Sequence, residues 1–190
     1  MHYRLRCLAT AGLFLLVSAC GANDILTGSP INDDGRIRSS AVYVAATGQF
    51  PTVIRGNPSN LGGDAFRDVV LGVLRLPAGL PATVFTVEPD PPVPHAYRLV
   101  LVFAPENKYL SARTICSGEA DIPVSRAKDK LLFLKAVYCH RSAPLSETFG
   151  QTAITDYRGE KFRTLMFLVM EELFPPDQGD ADDCIRRRTC

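Results

Sequence analysis

The chain has 190 residues, 46% of them apolar, and sets 21 lysines and arginines against 20 aspartates and glutamates. That balance argues against a general nucleic-acid binder, which shows a basic excess. The length suffices for one domain with a real core.

The N-terminus reads as an address. Arg4 and Arg6 precede an apolar stretch from Cys7 to Val17, which closes on Val17-Ser18-Ala19-Cys20. A basic start, a short apolar run and small residues before a cut site make a secretory signal. The run is too short to span a bilayer, which needs about 20 apolar residues. Its last four residues resemble the lipobox of bacterial lipoproteins. That resemblance, confined to residues 1–20, implies cleavage before Cys20, a thioether-linked diacylglycerol on Cys20 and a third acyl chain on its amine. Each buried methylene contributes about 0.8 kcal/mol, so two or three chains hold a protein firmly on a membrane. Gly21 stands where an aspartate favours the inner membrane in enteric-type sorting, which implies the outer membrane, periplasmic side. Cleavage removes two basic residues, Arg4 and Arg6, and no acidic one.

Residues 20–40 are turn-rich and without period, and read as a lipidated cysteine with a flexible tether. A domain is expected over 41–176, followed by a charged tail, 177–190. Ala41-Val-Tyr-Val-Ala-Ala46 and Thr52-Val-Ile-Arg55 are short β-branched runs, hence strands. Gly56 to Gly63 is a loop signal. Asp64 is placed to cap a helix, because Phe66, Val69, Val70, Val73 and Leu74 fall on one helical face. A weak strand, Thr83–Val87, leads into a proline-rich loop ending at Pro94. Tyr97–Phe103 is apolar on both parities, as in a strand covered on both faces. Residues 105–130 carry no clear pattern. Leu131–Tyr138, a turn over His140–Pro144 and the run from Leu145 to Ile154 predict a hairpin. Phe162, Leu165, Met166, Val169 and Leu173 form the stripe of a helix over 158–174, stopped by Pro175-Pro176. Together these elements predict an α+β fold: a single antiparallel sheet with two helices packed on it.

With Cys7 removed and Cys20 modified, Cys116, Cys139, Cys184 and Cys190 remain, an even number suited to disulfides outside the cytoplasm. Three pairings are open. Cys116–Cys139 with Cys184–Cys190 is preferred, because the latter two share a short polar tail that can close on itself. A metal site of His140 with the thiols is disfavoured, since Cys139 and His140 point to opposite faces of a strand. No cofactor is expected.

Several recognisable enzyme motifs are missing: no Gly-x-Ser-x-Gly elbow, zinc helix or phosphate loop occurs. His95 and His140 are the histidines beyond the signal, and a hydrolase would need one of them as base, with Ser117 available as nucleophile. No catalysis is expected. The acidic cluster Asp177, Asp180, Asp182 and Asp183 lacks the ordered calcium-loop pattern and reads as a solvated run. Arg186, Arg187 and Arg188 could grip phosphate or an acidic partner through their planar forks. Arg55, leading into Gly56-Asn57-Pro58, marks the loop most suited to a local role. Phe167 and Met170 widen the last helix's apolar face and are candidates for partner contact.

Val53-Ile-Arg-Gly-Asn-Pro58, Tyr97–Phe103, Leu145-Ser-Glu147 and Leu173-Phe-Pro-Pro176 resemble a group of small alphaproteobacterial lipoproteins without an assigned activity. The layout is also similar to the lipoprotein family that assists lipopolysaccharide assembly, although polar Gly21-Ala-Asn-Asp24 replaces that family's aromatic-rich segment. The expectation is a non-catalytic binding or assembly factor of the cell envelope, held to the membrane through Cys20 and contacting another envelope protein. It would bind through the last helix or an exposed edge strand. The alternatives are a periplasmic domain for small or lipidic ligands and, less favoured, the hydrolase.

Overall fold

A mixed sheet organises the fold. The computed structural model of the chain describes residues 25–29, 36–89, 97–118, 121–125 and 131–176. The elements are β1 (Ile25–Ser29), α1 (Arg36–Ala45), β2 (Gln49–Arg55), α2 (Gly63–Val73), β3 (Val84–Thr86), β4 (Tyr97–Phe103), α3 (Ala112–Ser117), β5 (Leu131–His140), β6 (Ala143–Ala153) and α4 (Glu160–Leu173). Five strands lie in the order β1-β6-β5-β4-β2, and β3 adds beyond β2 at the edge. Among the described residues no helix is long and apolar enough to cross a membrane.

The α+β class holds, but the sheet is not purely antiparallel. β4, β5, β6 and β1 pair antiparallel in sequence, whereas β2 runs parallel to β4 over Thr52–Arg55 and parallel to β3 over Gln49–Pro51. The reason is connectivity. β5 and β6 are joined by a two-residue turn, Arg141-Ser142, with Arg141 at φ 55°, so they form a hairpin. The chain leaving β2 instead passes through α2 before β3, and a helical crossover returns the next strand in the same direction.

There are also more helices than the two expected. Residues 41–46, with their valines, look like a strand, yet most of them belong to α1. Ile37, Ala41, Val44 and Ala45 are buried, while Val42 and Tyr43 are 41% and 55% exposed. Burial at i, i+4, i+7 and i+8 is a helical stripe, and packing here overrides the β preference of valine. α3 lies in the stretch without pattern; six residues are too few to show a period. Ser111 caps it, its Oγ accepting from the Thr114 N–H at 3.1 Å, and Gly118 ends it at φ 70°. β1 and the start of α1 fall within the stretch expected to be a tether.

α2 and α4 form as their spacing predicts. Asp64 is not the cap of α2: Gly62 is, and Asp64 sits in the first turn, 3.1 Å from Arg67. Phe162, Leu165, Met166, Val169 and Leu173 are buried along α4. α1, α2 and α4 cover one face of the sheet, packing on Leu99, Leu101, Phe103, Leu132, Leu134, Ala136 and Tyr138. α3 covers part of the other, packing on Val100, Val102, Val137 and Cys139. Two covered faces explain why β4 is apolar on both parities.

The end of α4 is tied down by side chains. Its last carbonyls have no partner within the helix. Ser146 Oγ donates to Leu173 O at 2.7 Å, and Arg38 Nη1 donates to Phe174 O at 3.0 Å. The second Arg38 nitrogen reaches Ala78 O at 2.9 Å, linking α1 to the segment after α2.

Candidate functional site

Of the positions singled out in the sequence, Cys116 and Cys139 are joined by a disulfide between α3 and β5, with Cα atoms 5.6 Å apart. Both are fully buried. His140 ends β5, half-buried, its ring stacked on Tyr97 with centroids 4.4 Å apart. That stack lies on the face of α1, α2 and α4, where Tyr97 packs against the core. Ser117 belongs to α3 on the other face, and its Oγ donates to Thr114 O at 3.0 Å. The structure does not bring this serine and this histidine together. Cys20, His95, Cys184, Cys190 and Arg186–Arg188 lie outside the described residues.

The apolar face of α4 is not an open patch. Met170 is only 1% exposed and belongs to the core, while Phe167 stands alone at 56%. The extra apolar residues serve a helix wedged against the sheet by neighbouring helices, which buries more than one stripe.

Arg55 is exposed at the end of β2. Beyond it, the Gly56–Leu61 loop is built on its own polar groups. Asn57 Nδ2 donates to Leu61 O at 2.8 Å; Asn57 Oδ1 accepts from the Ser59 N–H at 3.0 Å and the Ser59 hydroxyl at 2.6 Å. Such Asx geometry locks a turn. This loop faces the one after β6. Together Pro58–Leu61 and Ile154–Arg158 line a cleft of about 470 Å³, within the usual range for small-molecule sites. Asp156 Oδ1 accepts the Arg158 N–H at 2.8 Å, fixing the second loop. The Tyr157 ring meets Phe66 and Phe162 edge-on, at 5.6 and 5.5 Å, and burial pushes its phenol up. The cleft therefore offers a guanidinium, a carboxylate and hydroxyls around a neutral phenol. It sits beyond the carboxyl ends of β2 and β6, whose exit loops line it.

A second concavity lies between the end of α2 and β3. It measures about 560 Å³ and is lined by Leu71, Leu74, Leu76, Leu80, Val84 and Phe85, among others. Among the described residues β3 pairs with β2 alone, and Val84 is 67% exposed. The Thr83 hydroxyl, on the groove's lining, is buried without a hydrogen-bond partner among the described residues. Sequence patterning marked β3 as a weak strand but carried no sign that it ends the sheet, because neighbour order is a tertiary property.

No family model, curated protein or solved structure gives a significant match to this chain.

Proposed function

We propose that this protein is a non-catalytic binding module of the bacterial cell envelope, anchored to the outer membrane through lipid on Cys20, which captures an extended segment of another envelope protein along β3. The observation that carries this reading is the edge of β3, open among the described residues, beside an apolar groove of about 560 Å³. An unpaired edge offers main-chain donors and acceptors to an added strand, and a groove beside it selects the side chains. The partner site on Phe167 and Met170 is not retained, because Met170 is core. The lipobox at Val17–Cys20 and the likeness to small alphaproteobacterial lipoproteins support the location.

A photo-crosslinking residue at Val84 in living cells tests the proposal. A stoichiometric envelope partner is expected, lost when Cys20→Ser releases the anchor, and weakened by Thr86→Lys, because a charge on an edge strand disfavours strand addition. Absence of any crosslink from a folded, abundant protein would reject the edge-strand reading. The cleft at Asp156–Arg158 favours a second reading, a small polar ligand, since its volume and polar lining suit one.

A further inference from the structure

We infer that one end of the sheet, on the face that carries α3, docks on the phospholipid surface that holds the anchor; this rests on the lipidation of Cys20 proposed above. The first ground is chain length. β1 starts at Ile25, five residues beyond Cys20, and five residues span at most about 18 Å. Ile25 pairs with Gln151, and Gln151 pairs with Phe133, so all three share one row across the sheet. This row lies near the open end of the β5–β6 hairpin. The turn at Arg141-Ser142 is about 30 Å away along β5. An anchored Cys20 therefore keeps the open end of the hairpin near the membrane.

The second ground is what that end displays. Phe133 and Phe149 stack with centroids 5.6 Å apart, and Lys108 Nζ stands 5.3 Å from the Phe133 ring centroid. Leu131 is 40% exposed, Phe149 36% and Tyr109, beside Lys108, 93%. Arg55 joins this end: it is exposed and pairs with Val102 of the α3-side core. Exposed aromatic and aliphatic groups beside cations suit a headgroup layer, where rings sit at the interface and cations meet lipid phosphate. Glu106 is the acidic residue in the loop that carries Lys108 and Tyr109.

The test uses the full lipidated protein in vesicles of phosphatidylethanolamine and phosphatidylglycerol, some carrying a headgroup nitroxide. An environment-sensitive fluorescent amino acid is placed at Tyr109 in one sample and at Ser142 in the other. The proposal expects quenching at 109, little at 142, and loss of the difference in Lys108→Glu/Leu131→Asp protein. Equal quenching at the two sites, or none at either, with the lipid on Cys20 confirmed by mass, would overturn the docking and leave the anchor standing. An unmodified Cys20 would overturn both.

Discussion

Two glycines with nearly the same backbone angle separate strain from contact. Gly48 and Gly56 have φ of 80° and 81°. A Cβ on Gly48 would meet nothing within 4 Å, whereas one on Gly56 would land on the Phe103 carbonyl oxygen and 3.2 Å from Val124. Gly48→Ala should cost about 1 kcal/mol, the backbone penalty alone. Gly56→Ala should cost about 2 kcal/mol or more, because β2 must move from β4. Equal losses in urea unfolding would show that the Phe103 contact relaxes freely. Tyr138 is the other telling residue. It is fully buried among Phe50, Tyr97 and Phe174, at 5.8, 6.0 and 5.0 Å between centroids. Among the described residues its hydroxyl makes no hydrogen bond of good geometry, and burial pushes the phenol well up, against a smaller opposing pull from Ser40. A folded-state pKa above the unfolded value of 10.0 means that stability is intact below pH 10.0 and falls as pH climbs through the folded-state value. Tyr157 acts in the same direction. Tyr138→Phe should therefore soften the alkaline loss while changing neutral stability by no more than about 1 kcal/mol. An unchanged alkaline limb, measured as melting temperature against pH, would contradict this.

Among elements, α3 depends most on a single link. It has six residues, too few to be stable alone, and packs on the sheet through Ala112, Ile115 and Cys116. Arg98 of β4 donates to the Cys116 carbonyl, and the disulfide to Cys139 joins the helix to β5. The bond closes a loop with a sequence separation of 23 residues. Constraining a loop of that length stabilises a domain by about 3 kcal/mol. Replacing both cysteines by alanine should lower the melting temperature by roughly 6–12 °C for a domain of this size. A shift below about 2 °C would mean that packing alone holds α3. The sequence made the Cys116–Cys139 pairing reasonable without marking the helix that carries one end of it. α1 was misleading for a related reason: Val42, Val44 and the small residues around them satisfy a β pattern locally, and only the buried row of Ile37, Ala41 and Val44 discloses a helix. Long periodic segments such as α4 had no such ambiguity, because five buried positions at helical spacing fit no other element.

Across the whole molecule, the two ends of the sheet differ. Ile25, Leu131, Phe103 and Arg55 mark one end; Tyr97, His140 and the Arg141-Ser142 turn mark the other. β3 pairs with the first residues of β2 and so lies toward the turn end. Under the anchoring proposed above, the Ile25 end lies at the membrane and the edge of β3 points away from it. The cleft lined by Ile154–Arg158 follows β6 directly and stays at the Ile25 end. The sequence by itself determined the strands of the β5–β6 hairpin, the core stripes of α2 and α4 and the two-faced burial of β4. Each of these rests on local spacing or on chemistry within a few residues. Tertiary structure alone decided the parallel pairing of β2, the exposure of β3, the burial of Met170 and the separation of Ser117 from His140. Those depend on which strand lies beside which and on what covers each face, and contacts between distant segments leave no period in the chain.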